Sequence, residues 1–177
     1  LIATHSLRKK LFEESVDRIL DMTKEYYENG NDKVLPKSIV TRDSFLNAMS
    51  LDIAMGGSTN TVLHLLAIAS EAGVDFTMKD IDELSRVIPN ICKVSPSSAY
   101  HIEDVNRAGG IVSIMGELFR MGKLKKDCLT VLGKTMEQVI RENDIGGNYP
   151  ELKEDAKARA FAAPGGVRNL VAYSQSN

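Results

Sequence analysis

The chain has 177 residues, enough for one domain with its own core or for part of a larger one. Its 22 basic and 24 acidic residues leave a net charge of −2, which excludes the electrostatic footprint of a nucleic-acid or anionic-membrane binder. Hydrophobic residues make up 43%, an ordinary globular share, and no apolar run approaches the roughly 18 residues of a membrane span.

Ser6 to Asn29 reads as a long amphipathic helix, with Leu7, Leu11, Phe12, Val16, Ile19 and Leu20 on one stripe. Asn29-Gly30-Asn31 ends it with residues that tolerate the left-handed conformation. A connector containing Pro36 follows, and Thr41 or Asp43 caps a second helix that runs through Met55. Gly56-Gly57 breaks the chain before a third helix, which extends to about Ala72 and stops at Gly73. Its body, Val62 to Ala69, is apolar nearly all round except for His64, a pattern that predicts burial between layers.

Thr77-Met78-Lys79-Asp80 resembles a capping box opening a short helix to about Val87, closed by Pro89. Ile91 to Val94 is a candidate strand, and Ser95 to Ser98 a turn. One or two helical turns follow at Ile102 to Ala108. Gly109-Gly110 then precedes a helix with Ile111, Ile114, Met115, Leu118 and Phe119 on its core side, ended by Gly122. Leu129 to Leu132 is a second candidate strand, and Thr135 starts another short helix. A loop spans Asp144 to Pro150. Lys153 to Phe161 carries a weak helical pattern, Gly165-Gly166 a turn and Val167 to Tyr173 a third candidate strand. The expected fold is α/β and helix-rich, part of a three-layer α/β/α domain with few short strands.

Leu1 is not a methionine, and Leu1 to His5 lacks the layout of a signal peptide, so the chain reads as an excised segment. Cys92 and Cys128 each lack a Cys or His at ligand spacing, which predicts two buried thiols and no metal site made by this chain alone. Tyr26, Tyr27 and the methionines read as core and interface filler.

The most informative stretch is Gly56-Gly57-Ser58-Thr59-Asn60-Thr61. A helix start presents backbone N–H groups and the positive end of the dipole, which favours a carboxylate or phosphate. Two glycines let the backbone approach such a group closely. Ser58, Thr59 and Asn60 are therefore candidate binders of a substrate carboxylate, against the simpler reading of a helix cap. Asn60 and His64 share a helix face, although His64 reads better as a core histidine. His101, just before Glu103 and Asp104, is a candidate pocket residue or merely the start of a helix whose acids suit the dipole. His5 belongs to a chain end that frays. Gly109-Gly110 reads as a close packing contact.

These segments carry a resemblance. Asn47-Ala48-Met49 through Leu66, Asp75-Phe76-Thr77, Cys92-Lys93-Val94, and His101-Ile102-Glu103-Asp104-Val105 followed by Arg107-Ala108-Gly109-Gly110 resemble the dehydratase family that joins dihydroxy-acid dehydratase with 6-phosphogluconate and sugar-acid dehydratases. The resemblance covers nearly the whole chain and is closest to the branched-chain amino-acid member. It implies a hydro-lyase that converts a 2,3-dihydroxy-3-methyl acid to a 2-keto acid in valine, leucine and isoleucine biosynthesis. It also implies an iron–sulfur cluster, a magnesium ion, a cytoplasmic (or organellar) setting and a homodimer, with a small dihydroxy acid as the partner molecule and neither nucleic acid nor membrane.

By the same resemblance residues 1–177 are the C-terminal half of the large N-terminal domain, without the small C-terminal domain. The cluster cysteines and most magnesium ligands lie upstream, and a further glutamate and the base serine downstream. The expectation is then that this segment by itself binds no cluster and is inactive. Two alternatives stand beside this: a sugar-acid or 6-phosphogluconate dehydratase segment, and a non-catalytic helical module for binding or oligomerisation.

Overall fold

The structure is a computed structural model that describes residues 7–95 and 98–157. His5, the middle of the Ser95–Ser98 turn, the turn at Gly165-Gly166, the strand expected at Val167–Tyr173 and the end of the Lys153–Phe161 pattern lie outside those residues. Helices dominate: α1 Leu7–Asn29, α2 Pro36–Ile39, α3 Arg42–Met55, α4 Thr59–Ala72, α5 Met78–Val87, α6 Ile102–Arg107, α7 Gly110–Arg120 and α8 Met136–Asn143.

Local chemistry sets their ends. Gly30, at φ +63°, lets the chain leave α1, and its N–H returns to the Tyr26 carbonyl at 3.0 Å. Thr41, rather than Asp43, caps α3 in a reciprocal box with Ser44. Thr77 and Asp80 do the same for α5, and Thr135 and Gln138 for α8. Gly56 and Gly73 close α3 and α4 in the left-handed conformation.

α3 is the hub, packing against α4, α5 and α7, while α6 and α8 pack on α7. Two apolar clusters result. One joins Ala54, Ile88, Ile91, Cys92, Val105, Ile114, Leu118, Leu124 and Ile140; the other joins Phe45, Met49, Ala69, Phe76 and Ile81, with the Phe45 and Phe76 rings stacked at 5.4 Å. Ile53 and Leu84 touch both clusters.

The strands are where expectation and structure part. Residues 91–94 form none: the N–H groups of Ile91 and Cys92 both donate to the Ala54 carbonyl, at 2.8 and 2.9 Å. That satisfies an orphan acceptor at the end of α3 instead of building a ladder. Residues 129–132 supply only an isolated antiparallel bridge, Leu129 to Thr135, around a turn through Gly133 at φ +71°. The described residues therefore form a helical assembly, without the sheet of a three-layer domain.

Two helices are more exposed than their patterns predict. α4 buries only Ala69 fully and leaves Leu63 64% and Ile68 51% exposed, because it meets α3 on one side and no described element covers the other. On α1, Leu11, Phe12, Val16, Ile19 and Leu20 are all exposed, as is Tyr27, which was expected as filler. By contrast, Ile114 and Leu118 of α7 are fully buried as the periodicity requires, although Ile111 reaches the surface.

Candidate functional site at the start of α4

The Gly56–Asn60 stretch turns the chain between α3 and α4. The Gly56 N–H returns to the Ile53 carbonyl at 3.1 Å and the Gly57 N–H to the Asp52 carbonyl at 2.8 Å. Gly56 sits at φ +61°, a conformation that the turn demands, whereas a Cβ on Gly57 would require the Asp52 carboxylate to move aside. Asn90 donates from Nδ2 to the Ile53 carbonyl at 3.3 Å and holds the turn from below. Ser58, in extended conformation, is the N-cap: its Oγ accepts from the Asn60 N–H at 3.2 Å, and its carbonyl accepts from Thr61 at 2.9 Å.

Ser58, Thr59 and Asn60 are all exposed at the head of a 14-residue helix. The arrangement offers N–H dipoles and hydroxyls to an anion, worth about 0.3–1 kcal/mol at an exposed helix start. His64, one turn along the same face, is exposed too and is not the core histidine its apolar setting suggested.

His101 lies elsewhere. It is the exposed N-cap residue of α6, and its backbone N–H donates to Asp104 Oδ2 at 2.8 Å. α6 joins the body through α7, whereas α4 joins through α3, and no described hydrogen bond or ion pair links the two candidate groups. One cavity lies between α1 and the 129–133 turn, lined by Arg18, Glu25, Lys33, Val34 and Thr130. A second lies beside the start of α7, lined by Asn106, Gly109, Val112 and Asn143. Neither is walled by Ser58, Thr59, Asn60 or His101.

Gly109 behaves as a packing residue: at φ +113°, a Cβ there would strike Ser113 Oγ and the Ile145 side chain. Ser113 Oγ is buried without a hydrogen-bond partner.

An iron–sulfur cluster or magnesium ion does not fit the side chains of the described residues. Among the described residues no three His, Cys, Asp or Glu side chains come together as a metal site. Cys92 and Cys128 are free, buried and in different surroundings. Burial pushes both thiols up, helped at Cys128 by the Asp43 charge, so they are poor thiolate donors.

The sequence reading missed the buried roles of Asp144 and Asn47 in this framework, and of the third polar group, Asp80, it found the capping box but not the Arg42 partner. Asp144 is fully buried; it accepts from Arg120 Nη1 at 2.5 Å and from the Gly146 N–H at 2.9 Å, under Gly116, where a Cβ would collide with the carboxylate. Burial works against the Arg120 charge, but its hydrogen bonds to Glu117 and Asp144 prevail and raise its pKa. Asn47, 3% exposed, clamps Lys125 from both sides, accepting its N–H at 2.7 Å and donating to its carbonyl at 2.8 Å. Asp80 takes the Thr77 N–H at 2.8 Å, the Thr77 hydroxyl at 3.0 Å and the Arg42 guanidinium. For Asp144 the signal in the sequence was Gly116, a glycine inside an apolar helical pattern, which marks a close approach.

Residues 1–139 match the family model described as the dihydroxy-acid/6-phosphogluconate dehydratase N-terminal domain. The chain belongs to that dehydratase family. Both diagnostic motifs, Gly56 to Asn60 and His101 to Val105, fall inside the match, which ends within α8. The dehydratase framework continues past it: Ile140 and Asp144 are fully buried and Ala156 nearly so. No described helix is long and apolar enough to cross a membrane.

Proposed function

We propose that this chain is the C-terminal half of the N-terminal domain of a dihydroxy-acid dehydratase, acting on 2,3-dihydroxy-3-methyl acids in branched-chain amino-acid biosynthesis. The reaction removes the C2 proton and the C3 hydroxyl as water, and the enol tautomerises to a 2-keto acid. In this reading the full protein is cytoplasmic and homodimeric, and its iron–sulfur cluster and magnesium are held by residues outside this chain. Ser58, Thr59, Asn60 and, at a different edge, His101 contribute to the wall that receives the substrate carboxylate.

The observation that carries the reading is the family match combined with the α4 start, an exposed helix N-terminus bearing three small polar side chains. The family description also names 6-phosphogluconate as a substrate class, so the substrate is decided by assay. The full-length protein should turn over 2,3-dihydroxyisovalerate at least tenfold more efficiently than 6-phosphogluconate; the reverse ranking would move the chain to the other branch. Asn60→Ala in the same protein should cut turnover while leaving the melting temperature within a few degrees. Unchanged turnover would remove Asn60 from the site.

A further inference from the structure

Most of α1 is exposed, but Arg18, Met22 and Glu25, at steps of four and three, share one face and are each half-buried. With the 129–133 turn, the 31–34 turn and Ile39 of α2 they line a cavity of about 260 Å³. Two hydrogen bonds fix its walls. Arg18 Nε donates to the Val131 carbonyl at 2.7 Å, and Asn31 Nδ2 donates to Glu25 Oε2 at 2.8 Å.

The rest of the Arg18 guanidinium is unused. Its Nη1 stands 3.9 Å from Glu25 Oε1, beyond hydrogen-bond reach, and no described acceptor bonds to Nη2. An added Cβ on Gly133 would come within 3.2 Å of Nη2, so the glycine keeps that side of the fork open. Lys33 lines the same cavity, and its ammonium has no described partner. Two cations against the single Glu25 carboxylate leave a net positive charge. Much of the remaining wall is apolar: Met22, Ile39, Leu129 and the buried Val34.

A guanidinium fork matches the two oxygens of a carboxylate, and an apolar wall receives hydrocarbon. We propose that this cavity binds a small aliphatic monocarboxylate, with its oxygens on the Arg18 Nη atoms beside Lys33 and its tail against Met22, Val34, Ile39 and Leu129. The site is separate from the start of α4, and the proposal is independent of which acid the enzyme dehydrates.

Binding of butyrate to the full-length protein, followed by isothermal titration calorimetry, tests it. Butyrate should bind at least about tenfold more tightly than acetate, since each buried methylene contributes roughly fourfold. n-Butylamine, with the same tail and the opposite charge, should not bind. Arg18→Gln should weaken butyrate about tenfold or more, as loss of a hydrogen bond between charged groups does. That change also removes the bond to Val131, so Lys33→Glu is the second variant. Lys33 is exposed, and its reversal should weaken butyrate about fivefold with the unfolding curve unchanged. Asn60→Ala should leave the affinity for butyrate as it is. No binding of butyrate, equal affinity for acetate and butyrate, or affinity that survives Lys33→Glu would each overturn the proposal. Binding lost in Asn60→Ala but kept in Arg18→Gln would overturn it too, by giving the carboxylate to the start of α4.

Discussion

Gly116 and Asp144 make a pair whose coupling has a definite sign. A methyl group on Gly116 would occupy the space of the Asp144 carboxylate, which is fully buried and tied to Arg120 and Gly146. Overpacking of this kind costs about 1–3 kcal/mol. Against it, alanine is favoured over glycine inside a helix by about 0.5–1 kcal/mol. Gly116→Ala should therefore destabilise the parent by about 1–2 kcal/mol, a fall in melting temperature of about 2–8 °C for a chain of this size. Asp144→Ala removes the colliding atoms and is itself destabilising, because it leaves Arg120 with only Glu117 as a partner. In that background Gly116→Ala meets no obstacle and should be stabilising, raising the melting temperature by about 1–4 °C. Thermal and urea unfolding of the two singles and the double, followed by circular dichroism, read out the reversal. An equal loss from Gly116→Ala in both backgrounds would refute the packing argument.

Three further outcomes follow from the other polar groups. Hydrogen bonds from the Thr77 backbone, together with the Thr77 hydroxyl and the Arg42 charge, hold the Asp80 carboxyl below its usual 3.8 despite the opposing effect of burial. Its contribution is therefore present above about pH 4 and is lost as pH falls through the depressed value; Asp80→Asn should flatten that part of the acid unfolding curve, and an unchanged curve would discount the box. Asn47→Ala strips both backbone groups of Lys125 of their partner and should cost about 2–4 kcal/mol in urea unfolding, with a loss under 0.5 kcal/mol counting against the clamp. Cys92 and Cys128 should react slowly with a thiol reagent in the native protein and rapidly in urea; fast native labelling at either would contradict its burial.

Helix starts were the legible part of the sequence because a cap is a local device: Thr41, Ser58, Thr77 and Thr135 each bond within three residues. The apolar runs at 91–94 and 129–132 were not, since whether an N–H joins a ladder depends on a distant acceptor. For Ile91 and Cys92 that acceptor is Ala54. Periodicity located the apolar faces of α1 and α4 but carries no information on what, if anything, lies against them. At the candidate site the order Gly-Gly-Ser-Thr-Asn announced the turn and the cap correctly. It could not announce that His101 would head a helix attached through a different neighbour, nor that Asp144 would reach back 24 positions to Arg120.

The doubly used Ala54 carbonyl has a consequence for exchange with solvent. Residues 55–90 leave the end of α3, form α4 and α5 around the Phe45–Phe76 cluster, and return to be pinned by Ile91 and Cys92 on that single oxygen. The excursion is thus a loop closed at its neck, and it carries Leu84 and Ile88 into the Ile114–Leu118–Ile140 cluster, so opening it also uncovers part of that cluster. In deuterium oxide the Ile91 and Cys92 amides should share one protection factor, and clearly divergent factors would refute their common closure. The start of α4 is then held from both sides, by α3 before it and by the neck after α5, and it opens only together with the cluster that Ile88 enters.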